Sequence, residues 1–283
     1  MGLGGNLMWT SLAREIYERE NKKVVFVSKN GIMKDTVFLN NPYISFNIKE
    51  KNIKQLNLKF KFVPEWISEN KWNTSQHAII SRCNYFKITN PKVKCNLFFS
   101  KKEEEKIHSV VRELPEKFLL IEPYAKKTWT PNKQYPLEKW QKIVDKIKEI
   151  IPVVQCSLPG QKILNGVIDV SKKINSFREA CLLAKYSKLF VSTEGGLMHG
   201  CNAVGTKCVI IFCPMFDPMY TKYDNVVDIW VRDENHFNCF HPKKCMKCLE
   251  LMEKHDENIV IETIKKELID ERPYYSGSPA LDF

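Results

Sequence analysis

A strand, two glycines and a helix start between residues 189 and 212 form the part of this sequence best suited to bind an anion. The segment reads LFVSTEGGLMHGCNAVGTKCVIIF, with Glu194, Gly195 and Gly196 at the turn. Paired glycines let the backbone approach a ligand, and the first N–H groups of a helix carry partial positive charge. Glu194 and His199 flank the turn as candidates to contact hydroxyl or phosphate groups. A plain capped turn with a half-buried histidine explains the same residue types, so both interpretations stay open.

A second group of candidate ligands lies near the C-terminus. Cys245 and Cys248 form a Cys-x-x-Cys pair, with Cys239 and His241 just upstream. Two thiolates at this spacing chelate one Zn²⁺ or Fe ion, and a third thiolate with a histidine completes a tetrahedral set. A group of free thiols or a disulfide is the alternative, because only one such pair is present. We therefore consider a structural zinc or iron ion at Cys239, Cys245 and Cys248.

The elements that must position these residues are clearest after residue 115. Strands are expected at five apolar runs, residues 118–123, 153–157, 167–171, 188–193 and 207–212. Helices are expected after Pro136, after an N-cap at Ser176 with Glu179 in the capping-box position, near Gly196, and over residues 258–271. Strands that alternate with helices, without hairpin signals, indicate a parallel sheet with helices on both faces.

The first 115 residues give a weaker pattern. A helical period at residues 10–20 leads into a strong strand at 22–28, and an amphipathic helix at 101–114 connects the two halves. We interpret AIISRC, residues 78–83, as a further strand. The predicted domains are residues 1–115 and 116–283.

Composition limits the class of protein and of partner. The 283 residues carry 44 Lys and Arg against 33 Asp and Glu, a net charge of +11, and 43% are hydrophobic. A folded protein of about two domains with an anionic partner is expected. Neither a membrane span nor a signal peptide is recognisable, and seven of the ten cysteines look like buried reduced thiols, which favours the cytoplasm.

The glycine turn and its surroundings resemble the diagnostic motif of glycosyltransferase family 9, the heptosyltransferase-like enzymes. That motif runs strand, acidic residue, small residue, Gly, two residues and His, and then an Ala/Gly-rich helix and an apolar strand. Thr193 to His199 and the following segment match this order, with Glu in the acidic position. Lys133 and Pro136, followed by Trp140, resemble the family's Lys-x-x-Pro and Trp.

This resemblance implies an α/β protein of the GT-B arrangement, in which two Rossmann-like domains face a cleft. The implied reaction is inverting transfer of a heptose or hexose from a nucleotide diphosphate to a glycan or lipid-linked acceptor, as in lipopolysaccharide or glycan biosynthesis, with no cofactor required for the chemistry. The residues implied to bind the donor are Lys133, Glu194, Gly195, Gly196, Leu197 and His199. Lys133 and the N–H groups of the turn would stabilise the leaving diphosphate, and Glu194 suits ribose hydroxyls.

The opening segment departs from the family. Residues 2–15 resemble its opening loop and first helix, but Gly4, Gly5 and Asn6 stand where the family usually has Gly-Asp. That Asp is thought to act as general base, and neither Gly nor Asn accepts a proton usefully near neutral pH. The catalytic residue is therefore unknown from the sequence, and the N-terminal domain is expected without its usual first strand. A non-catalytic relative that binds nucleotide sugars is the alternative hypothesis.

The resemblance implies that residues 1–115 form the acceptor-side domain and residues 116–283 the nucleotide-sugar-binding domain, and a lysine-rich stretch lies in the first of these. It consists of Lys49, Lys51, Lys54, Lys59 and Lys61, with Phe60 and Phe62. Such a run is most simply a solvated face. Under the glycosyltransferase hypothesis it also suits an anionic acceptor or peripheral contact with the inner face of the membrane. Nucleic acid is not expected as a partner, because no aromatic-basic binding motif is present.

Overall fold

The protein has two α/β halves, each built around its own sheet. The computed structural model describes residues 2–58, 76–126, 130–241 and 243–269, together with short strands at 67–68 and 71–72. A three-stranded sheet lies within residues 23–57 and a six-stranded parallel sheet within residues 119–230. The predicted α/β class with two sheets is confirmed.

The N-terminal half begins with two helices, α1 (Leu3–Leu7) and α2 (Trp9–Glu20). They precede β1 (Lys23–Ser28), the central strand of the small sheet. β1 pairs antiparallel with β2 (Gly31–Ile32) and parallel with β3 (Ile53–Asn57). Among the described residues, β1 is the first strand of this sheet, and it follows the two opening helices.

Two N-terminal expectations are wrong. Gly4, Gly5 and Asn6 lie within α1, so the expected opening loop is helical. The apolar run at 78–83 is not a strand but the main part of α3 (Ala78–Tyr85). Its N-cap is His77, whose Nδ1 accepts a hydrogen bond of 3.1 Å from the N–H of Ile79. Histidine is an uncommon cap, so no helix-start signal is recognisable before this helix.

The remaining N-terminal elements are short, apart from one well-capped helix. β4 (Ile67–Ser68) and β5 (Lys71–Trp72) form an antiparallel pair. α4 (Lys101–Val111) matches the helix expected at 101–114, and it begins with a complete capping box between Ser100 and Glu103. Each side chain of that box satisfies a backbone N–H that the helix itself cannot pair.

The lysine-rich stretch is only partly within the described residues. Lys49 and Lys51 are exposed. Lys54 forms an ion pair of 2.5 Å with Glu20 of α2. The other members, Lys59, Phe60, Lys61 and Phe62, lie outside the described residues.

The C-terminal sheet contains all five predicted strands and one more. Its strands are β6 (Leu119–Glu122), β7 (Val153–Gln155), β8 (Ile168–Asp169), β9 (Leu189–Thr193), β10 (Cys208–Phe212) and β11 (Val226–Trp230). They are arranged in the order β11-β10-β9-β6-β7-β8, and all neighbours pair in parallel. The chain starts at β6, builds outward in one direction, and then returns to build from β9 in the other. Ligands of open α/β sheets bind at the carboxyl ends of the strands where the order reverses, here between β6 and β9.

Helices cover the C-terminal sheet. They are α5 (Leu137–Ile147), α6 (Phe177–Ala184), α7 (Gly196–Val204), α8 (Met246–Lys254) and α9 (Glu257–Ile269). Ser176 caps α6 as expected, through a hydrogen bond from the N–H of Glu179. The carboxylate of Glu179 accepts instead from the N–H of Asn175, so the predicted capping box is shifted by one residue.

The hydrophobic core is continuous between the halves. One cluster of buried side chains combines α1, α2 and β1 with α6, α7 and the inner face of the large sheet. A second cluster packs α5 and α9 against the opposite face of that sheet. The domain division near residue 115 stays a prediction, although the two sheets lie on either side of it. None of the described helices is long and apolar enough to cross a bilayer.

Candidate functional site

The candidate donor site lies at the carboxyl ends of β6 and β9, where the strand order reverses. Ser192 of β9 donates a hydrogen bond of 2.7 Å to the carbonyl oxygen of Glu122 at the end of β6. Burial raises the pKa of the Glu122 carboxyl to about 8. The loops that follow these two strands carry Lys133 and Glu194, so the topology brings together two residues that are 61 positions apart.

Lys133 and Glu194 form a buried ion pair. Lys133 ends a 3-10 turn, Pro131–Lys133, that Thr130 caps, and its Nζ donates to Oε2 of Glu194. The two side chains are only 13% and 10% exposed. The ammonium group also lies 5.9 Å from the ring centre of Phe216. A desolvated cation held in this way is well placed to stabilise charge on a phosphate that enters the site.

The start of α7 adds backbone donors beside this pair. Gly195 is the N-cap in an extended conformation, with φ −177° and ψ −168°. In the described structure no side chain caps this helix, and Gly196 and Leu197 are half-buried at its first turn. Among the described residues, the buried Thr193 hydroxyl has no hydrogen-bond partner either. Unpaired donors at a helix N-terminus favour an anionic ligand.

His199 is buried on the inner side of α7. Its Nδ1 lies 2.6 Å from the hydroxyl of Tyr223, and its Nε2 lies 4.0 Å from Oε1 of Glu194. Burial, with the nearby His77 and Lys133, lowers the pKa of His199 to about 3. The imidazole is therefore neutral at physiological pH and acts through hydrogen bonds. If Tyr223 donates to Nδ1, the proton of His199 sits on Nε2, the nitrogen that faces Glu194.

The opening helix packs directly on this motif. A Cβ atom on Gly4 would lie 2.5 Å from Cδ2 of His199 and 2.9 Å from Cα of Gly196. The carbonyl of Gly5 accepts a hydrogen bond of 2.6 Å from the buried Arg82 guanidinium, which lies 4.4 Å from the ring centre of Trp9. The structure thus brings the predicted donor residues and the opening Gly-Gly pair into one site.

Asn6 of the opening helix contacts an acid. Its Nδ2 donates a hydrogen bond of 2.6 Å to Oδ2 of Asp35. Asp35 precedes a 3-10 turn, Thr36–Phe38, and its Oδ1 accepts from the N–H of Val37 at 3.1 Å. Asp35 is not among the predicted site residues, because an Asp that caps a short turn cannot be distinguished in the sequence from any other turn residue.

The cysteine cluster gains a different histidine from the one expected. His236, Cys239, Cys245 and Cys248 place one ligand atom each within 4.8 Å of one another. His241 is exposed and does not belong to this group, so its expected role as a ligand is wrong. The sequence does contain a pattern that marks His236 as a ligand. His236 and Cys239 are separated by two residues, as are Cys245 and Cys248.

The geometry of these four residues suits a metal ion. Nε2 of His236 lies 3.3 Å from Sγ of Cys248 and 3.5 Å from Sγ of Cys245, and the sulfurs of Cys239 and Cys248 lie 3.4 Å apart. Three sulfurs and one imidazole nitrogen at these separations match a tetrahedral zinc or iron site.

The other seven cysteines are all buried free thiols, as expected: Cys83, Cys95, Cys156, Cys181, Cys201, Cys208 and Cys213. Burial raises the pKa of Cys83, Cys95 and Cys156 to about 12. These thiols are therefore protonated and unreactive.

Asn132 connects the cysteine cluster to the donor site. Its Nδ2 donates to the carbonyls of His241 and Lys243, both at 2.8 Å, and its Oδ1 accepts from the N–H of Cys245 at 2.8 Å. The side chain is fully buried and immediately precedes Lys133. The loop that carries the cysteines is thus fastened to the turn that carries the ammonium group of the donor site.

Solved structures share this fold at low sequence identity. A family 9 glycosyl transferase from Veillonella parvula has a TM-score of 0.68 and 12% identity, over 95% of each chain. The iron-containing dodecameric glycosyltransferase TibC from enterotoxigenic E. coli has a TM-score of 0.67 and 14% identity, over 94% of this chain and 74% of its own, and TibC has also been solved with ADP-D-β-D-heptose. The E. coli ADP-heptose lipopolysaccharide heptosyltransferase II has a TM-score of 0.62 and 12% identity, over 94% of this chain and 96% of its own.

Sequence comparison identifies the family itself. No curated protein matches the chain significantly. The family model described as glycosyltransferase family 9 (heptosyltransferase), however, matches residues 41–250, more than half of the chain. That match includes Lys133 and the whole segment from Thr193 to His199. The chain therefore belongs to glycosyltransferase family 9, and its fold is the GT-B fold of that family.

Proposed function

We propose that this glycosyltransferase moves a heptose or hexose from a nucleoside diphosphate to a glycan or lipid-linked acceptor, with inversion at the anomeric carbon. The observation that carries the proposal is the buried pair of Lys133 and Glu194 beside the uncapped start of α7. A cation, a helix N-terminus and a carboxylate at the switch point of a parallel sheet suit a ligand with both phosphates and hydroxyls.

The donor residues have separate roles in this proposal. As the bond between the sugar carbon and the phosphate oxygen breaks, negative charge develops on the leaving diphosphate. Lys133 and the N–H groups of Gly195, Gly196 and Leu197 stabilise that charge. Glu194 holds the ammonium group in place before the donor arrives and accepts hydrogen bonds from ribose hydroxyls. His199 remains neutral and supports Glu194 from the buried side, and no cofactor is needed for the chemistry.

Two relatives make ADP-heptose the first donor to test. One is named for ADP-heptose, and TibC has been solved with ADP-D-β-D-heptose. The net charge of +11 favours an anionic acceptor, such as a phosphorylated lipid or glycan. Peripheral contact with the inner face of the membrane fits an acceptor of that kind.

The donor site is tested by binding and turnover. ADP-heptose and a panel of other nucleotide sugars are added to the protein, and both the thermal shift and the release of nucleoside diphosphate are measured. Heptose-free lipopolysaccharide fragments and a neutral oligosaccharide serve as acceptors. We expect a thermal shift with at least one donor and faster release with an anionic acceptor. If none of the nucleotide sugars binds, the proposal is wrong; binding without turnover on any acceptor supports the alternative of a non-catalytic relative.

Substitutions assign the binding to these residues. Lys133→Ala and Glu194→Ala should each weaken donor binding about tenfold to a hundredfold, the value of a lost charge-assisted hydrogen bond. Lys139→Ala is the matched control, because Lys139 forms a similar pair of 3.1 Å with Glu257, with side chains 12% and 14% exposed. That pair joins α5 to the start of α9, away from the site, so its loss should affect stability alone. Unchanged donor affinity in both site variants would refute the roles given to Lys133 and Glu194.

We further propose that His236, Cys239, Cys245 and Cys248 hold a structural zinc or iron ion. The support is the compact set of three sulfurs and one nitrogen, and TibC is described as iron-containing. An ion there would fix the loop that Asn132 ties to Lys133, and it takes no part in the transfer.

A further inference from the structure

We infer that Asp35 is the general base of the transfer reaction and that Asn6 positions it. This inference rests on the proposed function, because a base is needed only if the chain transfers sugar to a hydroxyl. The opening helix has Gly4, Gly5 and Asn6 where the family usually carries a catalytic Asp. In the described part of the chain, Asp35 is the acid that hydrogen-bonds to this helix.

Asn6 is held in one orientation and leaves one polar atom open. The residue is 6% exposed, and its Nδ2 donates to Asp35 Oδ2 at 2.6 Å. Its carbonyl oxygen has no hydrogen-bond partner among the described residues. A buried acceptor without a partner costs about 1–3 kcal/mol, so a hydroxyl that enters the cleft is favoured at this oxygen. A neighbouring hydroxyl of the same acceptor, with its own proton unshared, would then lie next to the Asp35 carboxylate that accepts from Asn6 Nδ2.

The turn that carries Asp35 is fixed to the start of α6, which also packs on the donor motif. This turn is tied down by Arg178 at the start of α6, which donates to the carbonyl of Thr36 at 3.1 Å and to that of Leu39 at 3.4 Å. The preceding Phe177 lies against the donor motif, because a Cβ on Gly196 would be 3.2 Å from its ring. Asp35 and the glycine turn are therefore held by consecutive residues of one helix start.

A second path of contacts leads to the same place. Asp35 bonds to Asn6, and Asn6 belongs to α1, which packs against α7 through Gly4 and Gly196. The carboxylate is half-buried, so a substrate can still reach it. Glu194, the acid of the donor motif, is already paired with Lys133. Asp35 is thus the carboxylate that these contacts place beside the opening helix.

The proposed step balances as a single displacement. The acceptor hydroxyl oxygen forms a bond to the anomeric carbon while the bond from that carbon to the diphosphate oxygen breaks. The electron pair of the broken bond leaves with the nucleoside diphosphate. The hydroxyl proton passes to Asp35 and is later lost to water. The Asn6 amide donates to the carboxylate before the step and keeps it oriented toward the hydroxyl.

An amide–acid exchange tests both assignments. Asp35→Asn keeps the cap of the 3-10 turn, because Asn also caps well. It should lower kcat roughly a hundredfold to ten-thousandfold, the range for loss of a general base, without a change in donor affinity. The double variant Asn6→Asp with Asp35→Asn reverses the hydrogen bond and returns a carboxylate to the same pair. Its kcat should recover to within about tenfold of the wild type.

Asp256→Asn is the matched control. Asp256, at the start of α9, has a similar set of contacts. It accepts hydrogen bonds of 2.9 Å from the side-chain amide and from the backbone N–H of Asn258. This variant should keep wild-type kcat. Release of ADP from ADP-heptose is measured with water and with the acceptor panel, and donor affinity is measured by thermal shift.

The outcomes separate this inference from the proposed function. If the wild type turns over and Asp35→Asn stays within about threefold of it, Asp35 is not the base and the proposed function stands. A double variant no more active than Asp35→Asn overturns the positioning role of Asn6. Donor binding without turnover by the wild type overturns Asp35 as a base and leaves a binding protein. Absence of donor binding overturns both the base and the proposed function.

Discussion

At the scale of single residues, position 4 decides how closely the opening helix approaches the donor motif. Glycine within a helix is up to about 1 kcal/mol less favourable than alanine, so helix propensity alone argues for alanine here. A methyl group would, however, lie 2.9 Å from Cα of Gly196 and 2.5 Å from the ring of His199. The contact with Gly196 is with backbone, which cannot rotate away. The steric effect should therefore outweigh the gain in propensity.

Gly4→Ala should lower the free energy of unfolding by about 1–3 kcal/mol, as overpacked core sites do. It should also weaken donor binding, because α1 must move away from Gly196 and His199. Urea unfolding and the thermal shift with ADP-heptose measure the two effects. Gly2→Ala is the control, since a Cβ there meets nothing within 4 Å. A Gly4→Ala variant as stable as Gly2→Ala would contradict the close packing described here.

Some residues of the site can be recognised from a motif in the sequence, and others cannot because their partners are distant along the chain. Lys133, Glu194 and His199 stand in a motif whose order is visible in the sequence, and the structure brings them into contact. Tyr223 and Asp35 act through partners 24 and 29 residues away, so no local pattern marks them. The histidine of the cysteine cluster lies between these cases. The spacing of His236 to Cys239 is visible in the sequence, but His241 also lies close in the chain, and only the fold separates the two.

At the scale of elements, the sequence predicted strands well and short helices less well. The five apolar runs after residue 115 all became strands, because parallel strands buried on both faces need continuous apolar residues. The run at 78–83 has the same appearance, yet α3 forms there with its apolar side chains packed on α2. Six residues, four of them apolar, without a recognisable cap cannot separate the two outcomes. β11 has Asp228 within it, and this break explains why it was not expected.

The ion pair between Arg178 and Glu103 joins elements from the two halves and should respond to pH. Arg178 of α6 donates to Glu103 of α4, with an N–O distance of 2.6 Å. The hydrogen bond from Arg178 lowers the pKa of the Glu103 carboxyl from 4.5 to about 2. Because the folded-state pKa is depressed, the pair stabilises the protein fully above pH 4.5, and this contribution is lost as the pH falls toward 2.

Glu103→Gln should therefore lower the free energy of unfolding by about 2 kcal/mol at pH 6, while Gln still completes the capping box. The difference from the wild type should shrink as the pH falls below 4.5. Urea unfolding of both proteins from pH 6 downward gives this difference directly. Glu105→Gln, at an exposed site on the same helix, should change stability by less than about 0.5 kcal/mol. A pH-independent difference for Glu103→Gln would show that the pair does not carry the effect.

At the scale of the whole molecule, one buried side chain relates the cysteine cluster to sugar transfer. Asn132 binds three backbone groups of the cysteine loop and precedes the lysine that pairs with Glu194. A bound ion would fix that loop and, through Asn132, the turn that ends at Lys133. An ion held by this cluster would in this way set the position of the cation in the donor site. Loss of the ion should then weaken donor binding without a direct effect on the chemistry.

Removal of the metal and removal of Asn132 should have related effects. Protein purified without added metal should contain about one zinc or iron per chain, and Cys248→Ser or His236→Ala should abolish it. Both variants should bind ADP-heptose about tenfold or more weakly, as when a supporting contact around a metal ion is lost. Asn132→Ala should weaken binding similarly while it retains the metal, because its contacts are with backbone groups of the loop. His241→Ala, at the exposed histidine of the same loop, should retain both metal and affinity. The proposed coupling between the cysteine cluster and the donor site runs through the hydrogen bonds of Asn132. Metal-free protein that binds the donor with undiminished affinity would therefore show that the two sites are independent.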